Sequence, residues 1–204
     1  MARPKDPKAR QVILEQAEHL IHLRGYHGTS MDEIARCCGM TKANLFHHYG
    51  CKDDLVLAVF DAKMRDYQRR RVEPGCCPND PIQAVGRIFK DAARLFGGNG
   101  CRAGCFVANM ASEMSDVNES FRSRASVFFR DWTDRLARCF RKARSAGYFD
   151  GSLEPRSAAE TVVSLYEGAV LLARAHRDAS VLERVGQAAQ RFLRQHQSRP
   201  ARRR

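Results

Sequence analysis

Residues 24–55 read RGYHGTSMDEIARCCGMTKANLFHHYGCKDDL. Two short apolar patterns lie in this stretch, one on each side of a glycine. Thr29 and Ser30 precede Ile34 and Ala35. Ser30 is a sound N-cap, and Glu33 stands three residues on, where a capping box is completed. Gly39 ends that helix, and Thr41 can cap a second one running through Leu45 and Phe46 to Tyr49. Two short helices joined by a tight glycine-containing turn make a helix-turn-helix. Ile34, Ala35, Cys38, Met40 and Leu45 are expected to pack inward, which leaves Lys42, Ala43, Asn44, His47 and His48 on the outer face of the second helix. No acid occurs from residue 41 to 49. A helix that reads base edges in the major groove needs such a face. A helix-turn-helix can also serve as plain structure.

Outward from this stretch, apolar residues recur at helical spacing almost everywhere, with no sustained alternation of period two. Val12, Ile13, Ala17, Leu20 and Ile21 predict a first helix that stops at Gly25. Leu55, Val56, Val59, Phe60 and Met64 predict a fourth, starting near Lys52. The segment VEPGCCPNDP, residues 72–81, holds three prolines and a glycine and cannot continue a helix. Beyond it, Ile82, Val85, Phe89, Ala92, Ala93 and Phe96 mark a fifth helix, broken at Gly97-Gly98-Asn99-Gly100. A short sixth runs from Cys105 to Met114, and a long seventh carries Phe121, Ala125, Phe128, Phe129, Trp132, Leu136 and Phe140. An eighth contains Ala158 to Leu172 and a ninth Val181 to Leu193. The expected fold is all-α, about nine helices. A helix-turn-helix domain over residues 1–52 would precede a larger helical domain over 53–197, with helix four as the link and 198–204 as a basic tail.

Within 24–55 the pairs Gly25-Tyr26, Thr29-Ser30, Ile34-Ala35, Gly39, Leu45-Phe46, Tyr49 and Lys52-Asp53-Asp54-Leu55 stand in order. In this the chain resembles the N-terminal domain of the TetR family of transcriptional repressors. The resemblance implies a homodimer that binds double-stranded DNA at a palindromic operator and is released by a small inducer. By position it implies that Thr29 touches a phosphate, and that Thr41, Lys42, Asn44 and His47 face bases or nearby phosphates. His48 and Lys52 would bind phosphates. Phe46 stands where the family usually has tyrosine, so a phenolic hydroxyl is missing there. Cys51 replaces the usual serine cap of helix four, and a thiol is a weak acceptor.

Thirty-five Lys and Arg against 23 Asp and Glu leave a net charge of +12. Six arginines and no acids lie between Arg191 and Arg204, and Arg3, Lys5, Lys8 and Arg10 crowd the first ten residues. Basic arms of this kind attract polyanions, nucleic acid first among them, or serve as solvated tails. No apolar run reaches the roughly 18 residues of a membrane helix, and the charged first ten residues hold no apolar secretory core. The chain is expected to be cytoplasmic and to meet no membrane. Eight cysteines, Cys37, Cys38, Cys51, Cys76, Cys77, Cys101, Cys105 and Cys139, include no C-x-x-C pair, so no zinc site is expected. With no phosphate-binding loop and no Ser/His/Asp order, neither cofactor nor catalysis is expected.

In the C-terminal half, Phe89, Phe96, Met110, Phe128, Trp132 and Tyr166 could line an apolar inducer pocket between helices five to eight, or be ordinary core. The Ala- and Val-rich faces of helices eight and nine suit a close dimer interface, or intramolecular packing. The stretch GGNGCRAGCFVANMASEMSDVNESFRSRA, residues 97–125, resembles a subset of the family that includes the N-ethylmaleimide-responsive repressors, and Cys105 takes the place of their reactive cysteine. A thiol at a helix N-terminus with Arg102 nearby gains thiolate character; a buried, inert cysteine is the plain alternative. Cys101 is a candidate resolving partner. The function expected is a ligand-responsive DNA-binding regulator, a repressor released by a small molecule or a thiol-reactive electrophile. A cysteine-dependent enzyme acting on an electrophile and a non-specific nucleic-acid-binding protein are the rival readings.

Overall fold

The computed structural model describes residues 6–67 and 79–198. Arg3 and Lys5 of the N-terminal arm, Cys76 and Cys77, most of the proline-rich 72–81 segment and the last arginines lie outside the described residues. Nine helices form among those described: α1 (Pro7–Arg24), α2 (Met31–Cys37), α3 (Lys42–His48), α4 (Lys52–Tyr67), α5 (Pro81–Gly97), α6 (Phe106–Met114), α7 (Glu119–Ser145), α8 (Pro155–His176) and α9 (Ser180–Arg194). The expected all-α fold is the one observed.

Three of the long helices begin in the same way. Asp6, Asp80 and Glu154 each precede a proline at the helix start and accept backbone N–H bonds with their side chains: from Lys8 at 2.9 Å, from Gln83 at 2.9 Å, and from Arg156 and Ser157. Proline loses nothing at a position whose N–H has no helical acceptor, and the carboxylate satisfies the donors that follow.

The described chain forms two compact units. The first contains α1 to α4, α6 and the start of α7 up to residue 126. Its core holds Ile13, Ala17, Ile21, Ile34, Leu45, Leu55, Phe60, Phe106 and Phe121, all buried. Phe106 meets Phe60 and His22 edge-on, with ring centroids 5.8 and 5.6 Å apart. Each buried Ile, Leu or Phe side chain among them contributes about 1.5–3 kcal/mol. The unit therefore extends beyond the expected boundary at residue 52 and is discontinuous in sequence, because α6 packs with the N-terminal helices.

The second unit contains α5, the rest of α7, α8 and α9. There α9 packs against both α5 and α8. At Gly186 the helices come so close that a Cβ would stand 2.5 Å from Phe89 Cβ. Val85, Phe89, Ala92, Val162, Tyr166, Ala169, Leu182 and Ala189 fill this core.

Candidate nucleic-acid interface

The helix-turn-helix forms as its sequence directs. Ser30 Oγ accepts the N–H of Glu33 at 3.2 Å and Thr41 Oγ1 accepts that of Asn44 at 3.2 Å. The capping box is only half made: Glu33 turns its carboxylate to the Arg24 guanidinium. The turn between α2 and α3 passes through Gly39 at φ +64°, a left-handed conformation that costs glycine least. Ile34, Ala35 and Leu45 are buried, whereas Cys38 and Met40 are half-buried at the rim.

Residues 41–49 then present one open, acid-free face. Thr41, Lys42, Asn44, Phe46 and His47 are exposed, Phe46 by 39%. The Lys42 ammonium reaches back to Asp32 at 2.8 Å, an exposed pair of the kind worth at most about 1 kcal/mol. Asn44 supplies both a donor and acceptors, the arrangement that pairs with adenine in the major groove.

Three residues expected to meet phosphates are buried or half-buried. Thr29 is buried, and its hydroxyl donates to the Gly25 carbonyl at 3.0 Å. His48 is only 6% exposed, because the seven-residue helix turns it onto the same inward side as Leu45. Lys52 is half-buried, donates to the Tyr26 carbonyl at 2.6 Å and lies 4.1 Å from the centre of the Tyr26 ring. Burial lowers its pKa, against the pull of Glu113 and Asp53, which raise it. The sequence shows a lysine at a helix start; it does not show that a carbonyl and an aromatic ring enclose it. The Cys51 thiol does cap α4, accepting the Asp54 N–H at 3.4 Å.

Of the six residues expected around an inducer, Phe89, Tyr166, Trp132 and Phe128 form a continuous aromatic chain in the second unit, with successive centroids 5.6, 4.9 and 6.2 Å apart. Phe96 is buried in the same unit, and Met110 belongs to the first. Cys105 immediately precedes α6 and is 6% exposed. The loop before it is contorted: Gly100, Cys101, Ala103 and Gly104 all have left-handed φ values between 54° and 72°. Such conformations at Cys101 and Ala103 carry a cost of order 1 kcal/mol or more each. The Arg174 side chain lies over Gly104, its Cδ 3.2 Å from where a Cβ would stand, and Arg177 donates to the Cys101 carbonyl at 3.2 Å. Arg102, the cation nearest in sequence, is exposed. The arginines at the loop come from the end of α8, a placement no local spacing reveals.

The Ala- and Val-rich faces of α8 and α9 are consumed within the unit. Val170 and Leu182 are buried. A different stripe remains open, a shallow groove lined by Thr161, Ser164, Leu165, Gly168, Leu172 and Val185, with Leu172 46% exposed and Leu171 66%. Among the described residues no group of three His, Cys, Asp or Glu side chains is arranged to hold a metal ion, and no helix is long and apolar enough to cross a membrane.

Comparison with known proteins agrees with this geometry. Residues 13–59 match the family described as bacterial regulatory proteins, tetR family. Residues 81–188 match the C-terminal domain described as transcriptional regulator LmrA/YxaF-like. The transcriptional regulator AcuR of Cereibacter sphaeroides is 28% identical over 167 residues, 81% of this chain and 75% of that protein. The repressor NemR of Escherichia coli is 21% identical over 184 residues, 90% of this chain and 92% of that protein. The reduced form of Escherichia coli NemR superposes with a TM-score of 0.79 at 22% identity, over 95% of this chain and 99% of that one. A structure of AibR with isovaleryl coenzyme A and operator DNA superposes with a TM-score of 0.68 at 24% identity, over 91% and 97%.

Proposed function

The chain belongs to the TetR family of bacterial regulatory proteins and is a DNA-binding transcriptional regulator; from that premise we infer a cytoplasmic, dimeric repressor that a ligand or electrophile releases from its operator. The observation that carries this reading is the exposed surface of α3, free of acids and bearing Lys42, Asn44 and His47. On DNA, α3 enters the major groove with Asn44 on a base edge. Thr41, Lys42 and His47 contact bases or the flanking phosphates, and exposed Phe46 makes apolar contact with a thymine methyl or the sugar backbone. Thr29, His48 and Lys52 act from behind, by holding the reading helix in place. Two such helices address a palindrome when two chains pair through the open stripe of α8 and α9, where Gly168 leaves room for close approach.

Release is assigned to the second unit and the loop that precedes α6. Cys105 is the residue that meets an electrophile, with Cys101 as its resolving partner. Three features support this role: the position at a helix N-terminus, the contorted backbone and the Arg174 guanidinium over the neighbouring Gly104. A non-covalent ligand on the aromatic chain from Phe89 to Phe128 is the second reading, favoured by the half-buried Trp132 and Phe128. A bandshift titration with N-ethylmaleimide on wild type and Cys105→Ser separates the two. The probe is a duplex that the wild-type protein has selected from a random pool. The sensor role predicts release of the wild type and retention by Cys105→Ser. Equal release of both would remove Cys105 from the mechanism. A wild type that selects no duplex would overturn the operator reading itself.

A further inference from the structure

The turn between α1 and α2 is gripped from α6. The Glu113 carboxylate accepts the N–H of Tyr26 with one oxygen and that of His27 with the other, both at 2.7 Å. Gly25 makes this approach possible. Its φ of +80° is left-handed, and a Cβ there would stand 2.6 Å from Glu113 Oε2. The same turn is held from its other sides. Lys52 takes the Tyr26 carbonyl, the Tyr26 hydroxyl donates to Asp53, and Asn118 donates to Asp53 at 3.0 Å. The Phe121 ring meets the Tyr26 ring edge-on at 5.8 Å. One residue thereby joins the turn to α4, α6 and the start of α7.

We propose that Glu113 is a positioning residue for DNA recognition, a carboxylate latch by which α6 fixes the turn that launches the helix-turn-helix. The proposal rests on the reading of α3 as the recognition helix. The chain of contact is short. Thr29 bonds back to the Gly25 carbonyl, and its own N–H bonds to the Tyr26 carbonyl at 3.3 Å. Ser30 then caps α2, and buried Ile34 and Ala35 of α2 set the inner face against which Leu45 of α3 packs. Hydrogen bonds at 2.7 Å weaken steeply once stretched past about 3.5 Å. A slide of α6 by roughly 1 Å therefore opens both bonds together and frees the turn. Glu113 is the eighth residue of α6, the helix that the chain enters directly from Cys105.

The experiment compares full-length wild type, Glu113→Gln and Glu113→Asp by fluorescence anisotropy on the duplex selected by the wild type. Amide exchange at Tyr26 and His27 and thermal melting are measured on the same samples. Gln keeps one acceptor and opposes an N–H donor to the other amide, while Asp falls one methylene short. Each variant is expected to lose about tenfold in affinity and protection at both amides, with melting and sedimentation as in wild type. The control Glu119→Gln, at an exposed acid paired with Arg122, is expected to change neither reading. Faster exchange with unchanged affinity would overturn the latch, and so would unchanged exchange in both variants. If Glu113→Gln fails to fold, the Asp variant decides by the same two readings. A pool from which the wild type selects nothing would overturn the DNA reading, and the latch with it, an outcome distinct from selection followed by equal binding of wild type and variants.

Discussion

Lys42, Asn44 and Lys52 lie within eleven residues of one another, yet they stand in three different surroundings. Asn44 stands free on the exposed face, so Asn44→Ala is expected to relax preference at one base pair, at about 1–3 kcal/mol. Lys42→Ala, on the same face, is expected to weaken all sequences alike and to reduce the salt slope by about 1. Lys52→Ala is expected to weaken binding with the salt slope intact, since its ammonium is spent on the Tyr26 carbonyl. Anisotropy against salt concentration separates the three, and a reduced slope for Lys52→Ala would return that residue to the phosphates. A second residue-scale contact gives a pH signature. The Tyr148 hydroxyl donates to Asp80 at 2.8 Å; burial, then the Asp80 carboxylate, pushes its pKa up to about 12. A phenol with a raised pKa in the fold contributes stability that is fully present below its ordinary value of 10.0 and is lost as pH rises through about 12. The melting temperatures of wild type and Tyr148→Phe are therefore expected to converge between pH 10 and 12. A difference constant across that range would show that the phenol contributes no linkage.

The helices differ in how closely they fit their neighbours. The α5–α9 contact depends on Gly186, where an added methyl would overlap the Phe89 Cβ and Cγ at 2.5 and 2.9 Å. Both atoms are close to rigid backbone, so relief requires the helices to part. Gly186→Ala is expected to cost about 1–3 kcal/mol by overpacking, seen as a lower melting temperature, despite the better helix propensity of alanine. A melting temperature at or above that of wild type would show that the pair adjusts freely. α6 is the opposite case, a nine-residue helix too short to be stable alone. It is held by Phe106, Val107, Met110 and Met114, all buried, and by the Glu113 bonds. Periodicity located α6 correctly. It gave no sign that the helix packs with the N-terminal unit, because an apolar face records that a helix is buried and not against what.

At the scale of the molecule, the proposed reading of a palindromic operator requires two copies of the reading helix. Val170 and Leu182, on the faces of α8 and α9 whose composition suits pairing, are buried, and a charge there would unfold the chain before it revealed anything about assembly. The exposed Leu172 is the informative position. Leu172→Asp is expected to give a folded monomer at micromolar concentration, with wild-type helicity and little operator binding, as read by sedimentation and circular dichroism. A variant that remains dimeric would place the interface elsewhere. The open groove from Thr161 to Leu172 sets the apolar Leu165 and Leu172 beside Gly168, with nothing within 4 Å of where a Gly168 Cβ would stand.

The sequence by itself determined the nine helices found among the described residues, the Ser30 and Thr41 caps and the helix-turn-helix. Each of these rests on contacts within a few residues along the chain: a serine and the N–H three residues on, an apolar stripe at period 3.6, a glycine where φ turns positive. The acid-free face of α3 was legible for the same reason. Tertiary structure alone decided which candidates face outward. His48, Thr29 and Lys52 share the chemistry of phosphate ligands, yet burial and the Gly25 and Tyr26 carbonyls direct them inward. It alone brought Arg174 over Gly104, seventy residues away in sequence, and set Glu113 on the amides of Tyr26 and His27. Such pairings depend on how helices distant in sequence come to lie side by side, and helical period carries no information about the neighbour a face will meet.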